Sequence, residues 1–114
     1  TSASRELLEL RLGAAGFTPP EVMVTADDIT RGKPDPQPYL MAAERLGADP
    51  ARCLVVEDAP AGLRSGRAAG AATVGVVTTT AAEDLEPLAD LVVADLSALA
   101  FRLEDDGVRV TLRD

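Results

Sequence analysis

Histidine is absent from the 114 residues, and cysteine, lysine and tyrosine occur once each, with two phenylalanines and no tryptophan. Without histidine the chain holds no Ser-His-Asp triad, no Cys-His pair, no histidine general base and no histidine metal ligand. Cys53 alone can form neither an internal disulfide nor a zinc cluster. The scarcity of aromatics implies an aliphatic core of Leu, Val and Ala, and speaks against base stacking as a function. Positive charge is short as well. Eleven basic against nineteen acidic residues leave a net charge of −8, which argues against non-specific binding to nucleic acid or anionic membrane. No apolar run reaches transmembrane length and no signal-peptide pattern is present, so a cytoplasmic protein is expected. What is left is carboxylate, hydroxyl, lysine and arginine chemistry. It sits on a chain 46% hydrophobic and 26% charged, the composition of one ordinary globular domain.

Apolar spacing predicts an amphipathic helix from Ser4 to Ala15, stopped by Gly16, and a short strand over Glu21–Thr25. A polar loop follows. Asp35 and Pro36 suit the cap and first position of a second helix running to Leu46, with Gly47 as its stop. Cys53–Val56 is wholly apolar, the mark of a strand buried on both faces. A turn over Glu57–Gly62 and a helix over Leu63–Ala69 come next. Ala72–Val77 reads as a strand, Leu91–Val93 as a weaker one. Asp106-Gly107, between apolar stretches, predicts a hairpin within residues 101–112. Alternating helices and strands imply a parallel α/β sheet. Because the chain opens on a helix rather than a central strand, it reads as the back part of a larger domain.

In such sheets ligands collect beyond the carboxyl ends of the strands, and three stations qualify. Thr1-Ser2-Ala3-Ser4 precedes a helix, where hydroxyls and free N–H groups suit an anion or simply cap the helix. Lys33, in Gly32-Lys33-Pro34-Asp35-Pro36, is either a point charge for a phosphoryl oxygen or a solvated loop lysine. Glu57-Asp58 follows a buried strand, where two adjacent carboxylates invite a cation or serve as helix-start acids. Asp27-Asp28, Glu83-Asp84 and Asp105-Asp106 lie in polar loops and are expected to be solvated.

Together the stations resemble the haloacid dehalogenase-like superfamily, in its phosphatase and beta-phosphoglucomutase branch. Ser2 matches the second-motif hydroxyl, Lys33 the third-motif lysine, and Glu57-Asp58, within Val-Val-Glu-Asp-Ala-Pro-Ala-Gly, the fourth-motif acids. The order and intervals fit, and the likeness covers about residues 1–96. It implies a three-layer, Rossmann-like parallel sheet and a Mg²⁺-dependent phosphatase acting on a small sugar or polyol phosphate. In that scheme Ser2 and the N–H groups of Ala3 and Ser4 hold phosphoryl oxygens, and Lys33 neutralises charge. Asp58 binds Mg²⁺, with Glu57 as second ligand or as orienter. Ser4 and Arg5 are implied contacts to a distal phosphate or sugar.

The first motif, Asp-x-Asp, occurs nowhere in the chain, and the cap that usually follows it is missing. The attacking aspartate is therefore expected from a missing N-terminal part of the same protein, making residues 1–114 the C-terminal part of the core domain. Alternatives are an inactive fragment, a packing or dimerisation module, or a mutase-type phosphotransferase. A receiver domain would place the acids first and the lysine last. A true dehalogenase needs no Mg²⁺, against which Glu57-Asp58 counts.

Overall fold

A computed structural model describes all 114 residues. Helix α1 (Arg5–Ala14) is followed by α2 (Gln37–Leu46), strand β1 (Leu54–Glu57), α3 (Pro60–Ala68) and β2 (Ala72–Val76). A single-turn helix, α4 (Ala82–Leu85), then leads to β3 (Leu91–Val93), β4 (Leu99–Glu104) and β5 (Gly107–Leu112). Strands β1, β2 and β3 form a parallel sheet in that order, with Val56 opposite Val74 and Val76 opposite Val93. The order makes β1 an edge strand. No helix is long and apolar enough to cross a membrane.

Helix α1 begins where expected because the Ser4 hydroxyl accepts the Leu7 N–H (3.2 Å), satisfying one of the free donors at a helix start. Helix α2 ends at Gly47, whose φ of +67° gives the left-handed stop that glycine adopts without strain. The predicted strand over Glu21–Thr25 does not form. That segment borders the first residues through only two main-chain bonds, Thr1 N to Val24 O (2.8 Å) and Ala26 N–H to Ala3 O (2.9 Å). A strand needs a continuous ladder, and here there is none.

Helix α3 starts at Pro60, three residues earlier than predicted. Gly62 reads as a turn residue in the sequence; in the fold it is a packing residue. A Cβ at Gly66 would meet Val55 side-chain atoms at 2.8 Å, and one at Gly62 would meet the Glu57 carboxyl carbon at 2.1 Å. Two glycines one turn apart thus let α3 lie directly on β1. Strand β1 is also not buried on both faces: Val55 and Glu57 are buried beneath α3, while Leu54 and Val56 are half-buried on the other side. There they border a small cluster of Val74, Val76, Val93 and Leu99, the last from the hairpin. The hairpin itself pairs Glu104 with Gly107, so its two turn residues are Asp105 and Asp106, one position before the predicted pair.

Candidate functional site

The parallel strands deliver their carboxyl ends to one rim of the sheet. Glu57-Asp58 leave β1, Thr78 follows β2, and Asp95 and Ser97 follow β3. With Thr1, Lys33 and Tyr39 these residues line an open cavity of about 680 Å³. Position beyond strand ends is where open α/β sheets bind ligands.

Lys33 is carried by a loop braced from several directions. Gln37 Oε1 accepts the main-chain N–H groups of Thr30 (2.9 Å) and Arg31 (2.7 Å). Asp35 Oδ1 accepts the Gln37 N–H (2.9 Å), and the Ser65 hydroxyl on α3 donates to the Asp35 carbonyl (2.6 Å). The Lys33–Pro34 peptide bond is cis. The ammonium donates to Glu57 Oε1 across 24 positions of sequence, and the Tyr39 hydroxyl donates to the same oxygen. Lys33 Nζ also lies 5.3 Å from the centroid of the Tyr39 ring, within cation–π range. Burial, then the bond to Glu57, pushes the Tyr39 phenol far above its usual range, which keeps it a proton donor.

Glu57 is 9% exposed. Its carboxylate rests on the first turn of α3, where Gly62 leaves room and the helix N-terminus favours negative charge. Gly62→Ala will therefore force the carboxylate out, and is expected to destabilise the fold by about 1–3 kcal/mol. Denaturant melts check this, an unchanged midpoint meaning that Glu57 swings clear without cost.

Asp58 projects differently. Its Oδ2 accepts the Thr79 hydroxyl (2.5 Å), leaving Oδ1 free. No three metal-binding side chains converge anywhere in the chain. The donor set fits a hard cation that takes one carboxylate from this chain and fills its shell with water and phosphate oxygens, as Mg²⁺ commonly does. Glu57, expected as a metal ligand or orienter, is bonded through Oε1 to Lys33 and Tyr39.

The first station is more dispersed. Ser2 is exposed, lies next to the lining residue Thr1, and makes no hydrogen bond within the chain. Ala3 does not offer its N–H to an anion, because the Thr1 hydroxyl takes it (3.1 Å). The Ser4 hydroxyl is occupied as the α1 cap. The Arg5 guanidinium runs along the helix toward Glu9 (3.9 Å), and the Arg5 main-chain N–H donates to Asp27 Oδ2 (2.8 Å).

Of Asp27-Asp28, expected to be solvated, Asp27 is exposed whereas Asp28 is structural. Asp28 Oδ2 accepts both the N–H (2.8 Å) and the hydroxyl (3.0 Å) of Thr25, and its other oxygen meets Arg45 (3.2 Å). The Thr25 N–H first, then Arg45, lowers the Asp28 carboxyl to about 2. Tyr39, Thr79, Gln37 and Ser65 are the site residues that sequence reasoning missed. Tyr39 alone carried a signal, as the one tyrosine in the chain, one turn into the helix after Lys33.

Residues 1–70 match the family model of a haloacid dehalogenase-like hydrolase. Hexitol phosphatase A of Escherichia coli (strain K12) is 41% identical over 107 residues, which is 94% of this chain and 49% of that enzyme. Validoxylamine A 7'-phosphate phosphatase of Streptomyces hygroscopicus subsp. limoneus is 42% identical over 102 residues, 89% of this chain and 47% of that protein. Among solved structures, a HAD family hydrolase from Deinococcus radiodurans R1 with bound phosphate and sodium superposes with a TM-score of 0.75. It is 34% identical, over 82% of this chain and 45% of that one. The chain thus spans about half the length of the curated relatives it matches. On the matched motifs, the parallel sheet and the relatives together, the chain belongs to the haloacid dehalogenase-like hydrolase family.

Proposed function

We propose that the chain is the C-terminal part of a core domain and carries the supporting half of a phosphatase active site for small sugar or polyol phosphates. The observation that carries this reading is the Lys33–Glu57–Asp58 group, gathered at the carboxyl rim of a parallel sheet. Phosphoryl transfer depends mainly on positioning and charge neutralisation, and these residues suit both tasks. The Lys33 ammonium has three N–H donors. One is given to Glu57; the others can take phosphoryl oxygens. The uncommitted Ser2 hydroxyl supplies a further donor beside Thr1.

In the proposed reaction an aspartate from the N-terminal part of the protein attacks phosphorus. The ester P–O bond breaks, the departing alkoxide takes a proton from a second acid, and an aspartyl-phosphate remains. Water then gives a proton back to that second acid as it attacks phosphorus, the acyl-phosphate P–O bond breaks, and inorganic phosphate leaves with the carboxylate restored. Lys33 stabilises the charge on the transferring group in both steps. Asp58 would hold Mg²⁺, which when bound supplies positive charge to the phosphoryl oxygens. Glu57 keeps the lysine aimed.

The test is phosphate release by the whole protein from a panel of hexitol, glycerol and sugar phosphates, with and without EDTA. Turnover is expected to disappear with EDTA and return on adding excess Mg²⁺. Activity indifferent to EDTA would remove the metal from the scheme, and no release from any substrate would remove the phosphatase reading.

A further inference from the structure

We propose that Tyr39 is a positioning residue for Lys33, acting through Glu57, an inference that rests on the phosphatase reading above. Two donors converge on one oxygen: the Lys33 ammonium and the Tyr39 hydroxyl both bond Glu57 Oε1. A carboxylate facing a lone lysine draws the ammonium toward itself and away from any other anion. By taking a share of the same oxygen, the phenol weakens that hold and leaves Lys33 free to face a phosphoryl group. The ring adds a second constraint from its face, 5.3 Å from Nζ. Tyr39 is itself fixed, because α2 begins in the braced loop and lies beside α3. Its hydroxyl bonds Glu57 at the rim of the cavity, and a purely space-filling role would not need that oxygen.

The test is Tyr39→Phe in the whole protein, which keeps the ring and removes the donor. The turnover number is expected to fall about tenfold, about 1.4 kcal/mol, with KM within about twofold of the parent, since ground-state binding is little changed. A second readout is independent of activity. Lys33 is the only lysine in the 114 residues, so the acetylation rate of its peptide under limiting acetic anhydride, followed by mass spectrometry, reports its freedom. That rate is expected to fall several-fold in Y39F, because Glu57 then holds the ammonium undivided.

Parent-like turnover together with parent-like acetylation would overturn the assignment. If the parent protein releases no phosphate, the phosphatase reading fails, and acetylation still decides whether Tyr39 loosens the hold of Glu57 on Lys33. If Y39F also lowers the melting temperature, the Glu57→Gln background separates the causes. Acting through Glu57, Y39F changes the acetylation rate there by less than about twofold. The same several-fold fall in both backgrounds would refute transmission through Glu57, and a rise in the parent background would refute the loosening role itself.

Discussion

Turnover of the whole protein should fall about a hundredfold or more when Lys33 is replaced by alanine, and at least about tenfold when it is replaced by arginine. The larger loss follows from removing a donor aimed at charge that grows in the transition state, typically about 10²–10³ in rate. The smaller loss isolates shape. Arginine keeps the charge, but a planar fork does not occupy the place of a compact ammonium between one carboxylate oxygen and a tyrosine ring. Stability separates the two variants further. Lys33→Ala leaves Glu57, 9% exposed, with the Tyr39 hydroxyl as its remaining donor, and stranding a buried charge is costly. Phosphate-release kinetics beside a thermal melt check both. Near-parent turnover in the arginine variant would return Lys33 to the role of an ordinary loop residue.

The 114 residues expressed alone should show no phosphatase turnover and should elute as larger species than a monomer. The first expectation follows from the absence of any Asp-x-Asp segment. The second follows from the surface. A compact monomer of this mass exposes about 5,900 Å² by the usual scaling, whereas this chain exposes 7341 Å² and buries only 17 of its 114 residues. Part of the excess lies beside β1. Its outer edge is unpaired, and an apolar groove of about 230 Å³ runs next to it, lined by Ala43, Leu46, Leu54 and Val56 among others. An open apolar edge is a template for another chain. Size-exclusion chromatography and denaturant unfolding decide the matter. A monomer with one cooperative transition would contradict the argument from surface, and turnover by that monomer would place the nucleophile inside these residues.

Periodic features were legible in the sequence. Leu54–Glu57, Ala72–Val76 and Leu91–Val93 are strands because short apolar runs between glycines and polar turns have few other fates. The Lys33 and Glu57-Asp58 stations were legible for a related reason, since each stands at a break in that pattern. What failed depended on distant partners. Glu21–Thr25 has the composition of a strand but no ladder to join. Gly62 looks like a turn until β1 is known to lie against it. Asp28 looks solvated until Thr25 and Arg45 close around it. The contact between Glu57 and Tyr39 was hidden for the same reason: it spans 18 positions, and nothing local announces it.

Helix α3 has one more consequence. Through Gly62 and Gly66 it is pressed onto β1, and through Ser65 it holds the loop that bears Lys33. The lysine and its carboxylate are thus both braced by α3, which backs Glu57 at the end of the edge strand β1. A segment arriving at that edge would meet a half-site already assembled, without bearing the ordering cost of Lys33 and Glu57.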